Sequence, residues 1–151
     1  MWANEPIGSV DAAKRTSVNI LNKLAGLARD EHKLPSESQA PEPGTTPLRL
    51  LPCDEPNQFM YPGATAVLFD NTTAAKEFET TATEFIRAQN GWLEQPVTDA
   101  SGNTKPQFVS SNGFAVSVRY REHRGKHIVG ITAFSPCFEM PEDFNYNVEQ
   151  V

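Results

Sequence analysis

Apolar residues in the first stretch of the chain recur at helical spacing. Val10, Ala13, Ile20, Leu21, Leu24, Leu27 and Ala28 fall on one side of a helix, while Lys14, Asn22, Lys23 and Arg29 fall on the other. With Ser9 as N-cap and Leu34-Pro35 as the stop, the spacing predicts an amphipathic helix of about six turns. Such a helix lies on a core and not inside one. Prolines at 35, 41, 43, 47, 52, 56 and 62 then deny the chain regular helix and remove strand hydrogen bonds. Residues 35–62 are therefore expected to form an extended connector across the surface.

The short apolar run Ala64–Phe69 reads as a strand, and Asp70-Asn71-Thr72-Thr73 offers caps for a second helix. That helix should run to Asn90 and stop at Gly91, with Ala75, Phe78, Ala82, Phe85 and Ile86 on one face. After Trp92 the period changes from helical to alternating. Leu93–Val97 and Gln107–Ser111 read as strands around a turn at 99–103, and Asn112-Gly113 is a hairpin signal. Phe114, Val116, Val118 and Tyr120 alternate with Ala115, Ser117, Arg119 and Arg121, giving one face to the core and the other to solvent. Glu122–Gly125 turns the chain into a last strand, His127–Phe134. The predicted fold is α+β, a two-layer sandwich of an antiparallel β-meander with two helices packed on one face. It occupies 9–138 as one domain, between an N-terminal tail at 1–8 and an acidic C-terminal tail at 139–151. Met140, Phe144 and Tyr146 interleave the acidic residues of that last segment, and it could strap the sheet or bind a partner.

Composition narrows the class of function. A chain of 151 residues can bury a core without metals. Its net charge of −6 argues against nucleic-acid binding, which needs a positive surface. No apolar run is long enough to span a membrane, and the first 30 residues lack the continuous apolar stretch of a secretion signal. Cys53 and Cys137 are too far apart for a redox motif and too few for a structural zinc site. A disulfide is the economical reading and implies an oxidising compartment; the alternative is a pair of unrelated buried thiols in a cytosolic protein. Closing so long a loop is worth about 4 to 5 kcal/mol by the chain-entropy estimate.

The order of Cys53, Gly91-Trp92, the Asn112-Gly113 hairpin and the triplet Ser135-Pro136-Cys137 resembles small actinobacterial cell-envelope lipoproteins of the LppA-like kind, over roughly residues 10–138. The resemblance implies an envelope location, a Cys53–Cys137 bridge and a lipid anchor added on an upstream cysteine. It brings no activity with it.

The segment Arg119-Tyr120-Arg121-Glu122-His123-Arg124-Gly125-Lys126-His127 concentrates positive charge on one hairpin of an acidic chain. Arg119, Arg121, His123, Arg124, Lys126 and His127 form a candidate patch for anionic lipid headgroups or cell-wall polymers. The plainer alternative is a solvated hairpin whose charges prevent edge-to-edge pairing. His123 and His127 flank a turn with no third ligand nearby, so no metal and no cofactor are expected. Ser135 lies outside any nucleophile elbow and reads as a strand-end turn residue. Glu77, Glu79 and Glu84 are expected on a solvated outer helix face. Phe78, Phe85, Trp92, Phe114 and Phe134 are expected to fill the core.

Together these features predict a monomeric, non-enzymatic extracytoplasmic domain. It would bind an envelope protein or apolar ligand through its sheet or its basic hairpin. The rival is a small secreted enzyme with scattered catalytic residues, and a cytosolic adaptor survives only with reduced cysteines.

Overall fold

A computed structural model describes residues 9–145 and 149–151. Helix α1 spans Val10–Ala25, followed by irregular chain with short 3-10 turns at Asp30–His32 and Ser36–Ser38. Then come β1 (Leu51–Pro52), β2 (Gln58–Met60), β3 (Pro62–Phe69), α2 (Thr72–Arg87) and β4 (Trp92–Thr98). The chain continues through β5 (Thr104–Ser110), β6 (Ala115–His123), β7 (Lys126–Phe134) and β8 (Phe138–Glu139). The main sheet is antiparallel with order β3-β7-β6-β5-β4, and a small sheet has order β1-β2-β8. Both helices pack on one face of the main sheet, so the α+β two-layer architecture is the one the sequence predicts.

Ser9 caps α1 by accepting a hydrogen bond from the Ala12 N–H, and Asn71 caps α2 from the Ala74 N–H. Two helix ends differ from expectation. Helix α1 stops at Ala25 with Gly26 as C-cap, well short of Leu34-Pro35. Gly26 is a poor helix interior residue, and beyond it the chain turns aside to cover the free edge of β3. Leu27 and Ala28 still rest on the core, as their spacing suggested, but from outside the helix. Helix α2 ends at Arg87, and Gly91 takes its left-handed φ of 87° only after a further turn.

One core fills the space between helices and sheet. Ile20, Leu21 and Leu24 of α1 and Phe78, Ala82 and Ile86 of α2 meet Val67, Phe108, Val116, Val118, Val129 and Ile131 of the strands. Helix α1 approaches the sheet closely because β3 carries Gly63, where a Cβ would lie 1.9 Å from Ser17 Oγ. The buried Ser17 hydroxyl donates to the Ala133 carbonyl at 2.7 Å, satisfying itself without leaving the sheet.

The small sheet is a bent continuation of β3 and β7. Pro62 faces Phe134, whereas Phe59 faces Phe138, so one extra residue lies on the 135–138 side, the signature of a bulge. Ser135 sits at the transition. Its N–H donates to the Tyr61 carbonyl, while the Tyr61 N–H donates at 2.8 Å to the Ser135 hydroxyl in place of a carbonyl. A second apolar cluster of Ala13, Leu50, Phe59, Tyr61 and Phe138 fills this end. Met140, Phe144 and Val151 pack on that cluster, and Val151 exchanges backbone hydrogen bonds with Leu48. Cys53 and Cys137 are joined in a disulfide that ties the end of β1 to the start of β8.

Candidate interaction surface

The two edges of the main sheet are closed by different means. Along β3, Leu34 N–H donates to Leu68 O and Asp70 N–H to His32 O. The Gln39 side chain imitates a strand: its amide nitrogen donates to Leu34 O and Leu68 O, and its oxygen accepts from Leu68 N–H. Along β4, Pro96 faces Pro106 across the β4–β5 ladder. The alternating bonds run from Asp99 N–H to Asn103 O, which puts both prolines at positions whose N–H would point outward. Pro96 therefore removes a donor from the exposed edge of the sheet, a standard defence against strand addition.

Pro106 has the opposite consequence on the inner side. Ser110 N–H bonds to Phe114 O, and the β5–β6 ladder continues only through Val109–Ala115 and Phe108–Val116. The next bonding position would set Pro106 against Val118, and proline has no hydrogen to give. The β4–β5 hairpin departs from β6 at that point. Glu79 of α2 enters the gap, where its carboxylate accepts from the Tyr120 N–H at 2.6 Å and lies 3.6 Å from Lys105 Nζ. Glu79 is thus not on a solvated outer face, as helix spacing suggested, but 16% exposed and engaged in closing the sheet. Its role depends on a proline 27 positions later in the chain, which no helical period reveals.

The pleat divides the basic segment between the two sides of the sheet. His123 pairs with Lys126, Arg121 with Ile128 and Arg119 with Gly130, so Arg119, Arg121, His123 and Lys126 share the face away from the helices. Arg124 and Gly125 form the two-residue turn at its tip, both with positive φ (52° and 75°), the conformation that a tight hairpin turn requires. His127 goes to the helix side. There its Nδ1 lies 3.2 Å from the Tyr120 hydroxyl and 3.3 Å from the Thr72 hydroxyl. Glu122, paired with His127, also projects on that side. Five of the six residues of the predicted patch are therefore brought together, and the acidic residue between them is turned away.

Among the described residues, none of Arg119, Arg121, Arg124 and Lys126 has an ion-pair partner. Other surface cations do: Arg87 holds Glu94 through two guanidinium bonds and also bonds Glu84. The hydrogen bonds from Arg87 hold the Glu94 carboxyl below its ordinary range.

The rest of this face is low and partly apolar. Its middle is made of small side chains, with Ala66, Gly130, Ser117 and Thr132 in adjacent positions of β3, β7 and β6. Leu68 and Ile128 border it near the cations, and Phe134 and Val109 at the other end. Leu93, on the outermost strand of the same face, is 61% exposed. Both described helices lie on the opposite side.

Ser135, weighed as a nucleophile in the sequence, is 4% exposed and donates to the Pro136 carbonyl while receiving the Tyr61 N–H. No group of three His, Cys, Asp or Glu side chains among the described residues could hold a metal ion. A separate groove of about 750 Å³ runs between α2 and residues 27–32, with Leu27, Phe69 and Phe78 at its base and Arg29, His32 and Lys76 around it. The disulfide suits an oxidising, extracytoplasmic environment, and no described helix is long and apolar enough to cross a membrane. Comparison with protein-family models, curated proteins and solved structures yields no match to the chain.

Proposed function

We propose that the chain is a non-enzymatic binding domain of the cell envelope, which meets a protein partner on the uncovered face of its five-stranded sheet. The observation that carries this proposal is the composition of that face. It combines cations without carboxylate partners, a flat centre of small residues and an exposed leucine, Leu93, on the outer strand. Interface centres are enriched in arginine and gain from apolar contact, and this face offers both. Two candidate catalytic groups of the sequence, Glu79 and Ser135, already serve backbone donors, which favours binding over chemistry at those positions. The disulfide and the order of its flanking motifs support an envelope address, and a lipid anchor on an upstream cysteine belongs to the same proposal.

Site-specific photo-crosslinking tests it. A photoreactive side chain is placed at Leu93 or Gln107 on the open face, or at Thr81 or Asn22 on the helices, in the protein expressed in its own cell envelope. The expected result is a discrete crosslinked partner from the sheet positions and none from the helices. Crosslinks arising only at Thr81, beside the groove of α2, would instead favour a small-molecule or enzymatic site there.

A further inference from the structure

Arg119, Arg121 and His123 stand at every second position of β6, so their Cα atoms repeat at about 6.6 to 6.8 Å along the strand. An extended peptide repeats its same-face side chains at the same interval. The stripe faces away from the helices together with Lys126, which is opposite His123. Glu122 lies on the other side of the pleat, so no neighbouring carboxylate of the hairpin neutralises it. On a protein of net charge −6, Arg119, Arg121 and Lys126, none with an ion-pair partner among the described residues, make a local reversal of the molecule's sign. Guanidinium groups bind carboxylates in a planar, two-point geometry that a free lysine does not supply.

The surroundings distinguish between anionic partners. The strip does not stand alone at the hairpin tip; it runs into the low centre formed by Gly130, Ala66 and Ser117 and on to Phe134 and Val109. A purely ionic polymer gains nothing from the apolar end, whereas a peptide can lay its backbone over Gly130 and its own apolar side chains beyond it. We infer that the open face takes an extended segment of a partner protein that carries acidic residues at alternate positions and then apolar ones. This inference rests on the protein-binding role proposed above and names the chemistry of its partner.

The experiment is a titration of the 15N-labelled, oxidised domain with a synthetic peptide in which glutamates alternate with threonines and the end is Val-Thr-Leu. The same peptide with glutamine for glutamate, inorganic polyphosphate, and vesicles containing phosphatidylglycerol serve as comparators. The expected result is amide shift changes confined to β6, β7 and their neighbours on the open face, with binding at least tenfold weaker for the glutamine peptide. Arg121→Glu at an exposed position and Arg119→Glu at a half-buried one should each weaken the glutamate peptide at least tenfold, while their unperturbed spectra elsewhere report an intact fold. Equal binding of the glutamine peptide, or no open-face binding by the glutamate peptide, overturns the acidic partner but leaves crosslinking from Leu93 able to uphold the interface. Polyphosphate or vesicles binding the same residues more tightly than the peptide overturns the partner class. Shifts confined to the helix-side groove likewise overturn the acidic partner, and the interface itself falls only if crosslinking from Leu93 also yields no partner.

Discussion

The long β6–β7 ladder and its extension end in opposite ways. At the Ser135 end the strands bend through a bulge, bury Phe59, Tyr61 and Phe138 beneath the start of α1, and are tied by a disulfide. At the Arg124-Gly125 end no described residue ties the strands covalently, and the open face carries the side chains of Arg119, Arg121, His123 and Lys126 beside Leu68 and Ile128. The contrast shows where the molecule invests in order. Three short strands of two or three residues cannot hold a sheet alone, so that end needs a second cluster and a crosslink. The hairpin end inherits its order from full pairing with β7 and can expose its side chains at little cost to the fold.

Breaking the closed end should have the largest effect. Cys53→Ser with Cys137→Ser is expected to cost about 4 to 5 kcal/mol, the chain-entropy value for such a loop, measured by urea unfolding. Hydrogen exchange should show β2 and β8 losing protection before the main sheet. Phe59→Ala removes the centre of the second cluster and its edge-on contact with Phe144, with an expected loss of about 3 kcal/mol. An equal effect on β4 and β5 exchange would show that the two ends unfold as one unit.

Between the two ends, Glu79→Ala leaves the Tyr120 N–H without its acceptor where Pro106 has interrupted the ladder. The expected cost is about 1 to 3 kcal/mol, and exchange of the Tyr120 amide should accelerate most. Arg121→Glu at the open end should change stability by less than about 0.5 kcal/mol, although it abolishes the proposed contact with an acidic segment. A loss comparable to that of Phe59→Ala would mean that the hairpin charges are structural after all. The smallest effect concerns Glu94. Its folded carboxyl titrates below its ordinary value because Arg87 donates to it, so its contribution is present above the unfolded value and lost as the pH falls through the folded one. Arg87→Gln should return the Glu94 titration toward the ordinary carboxylate range, as read by NMR of the side-chain carbon.

Much of the architecture was legible because it is local. Ser9 and an Asx at the start of α2 are caps through their own side-chain oxygens, and the alternation from Phe114 to Tyr120 sorts into core and solvent by the pleat alone. The cysteines could be paired in the sequence because only two exist. Less legible was the end of α1, where the apolar period runs on through Leu27 and Ala28 although the helix has stopped. Those residues remain apolar because they still cover the core, so burial preserved the pattern after the backbone had changed.

Of the candidate site, the sequence showed the concentration of charge on one hairpin but only the pairing register divided it. The turn at Arg124-Gly125 sets His123 against Lys126, and a shift of one residue would have exchanged Glu122 and His127 for the arginines on the open face. The role of Glu79 and the substitution of a serine hydroxyl for a carbonyl at Ser135 likewise depend on groups distant in the chain. What the sequence by itself determined was the order of the two helices and of the five strands of the main sheet, the buried stripe of each helix and the disulfide, because each follows from side chains within a few positions or from the count of a rare residue. The small sheet of β1, β2 and β8 was not legible, β1 and β2 lying in the proline-rich connector. Tertiary structure decided which face of the sheet the two helices pack on, where the ladder broke and which charges stood together, because those depend on strand partners that no local pattern specifies.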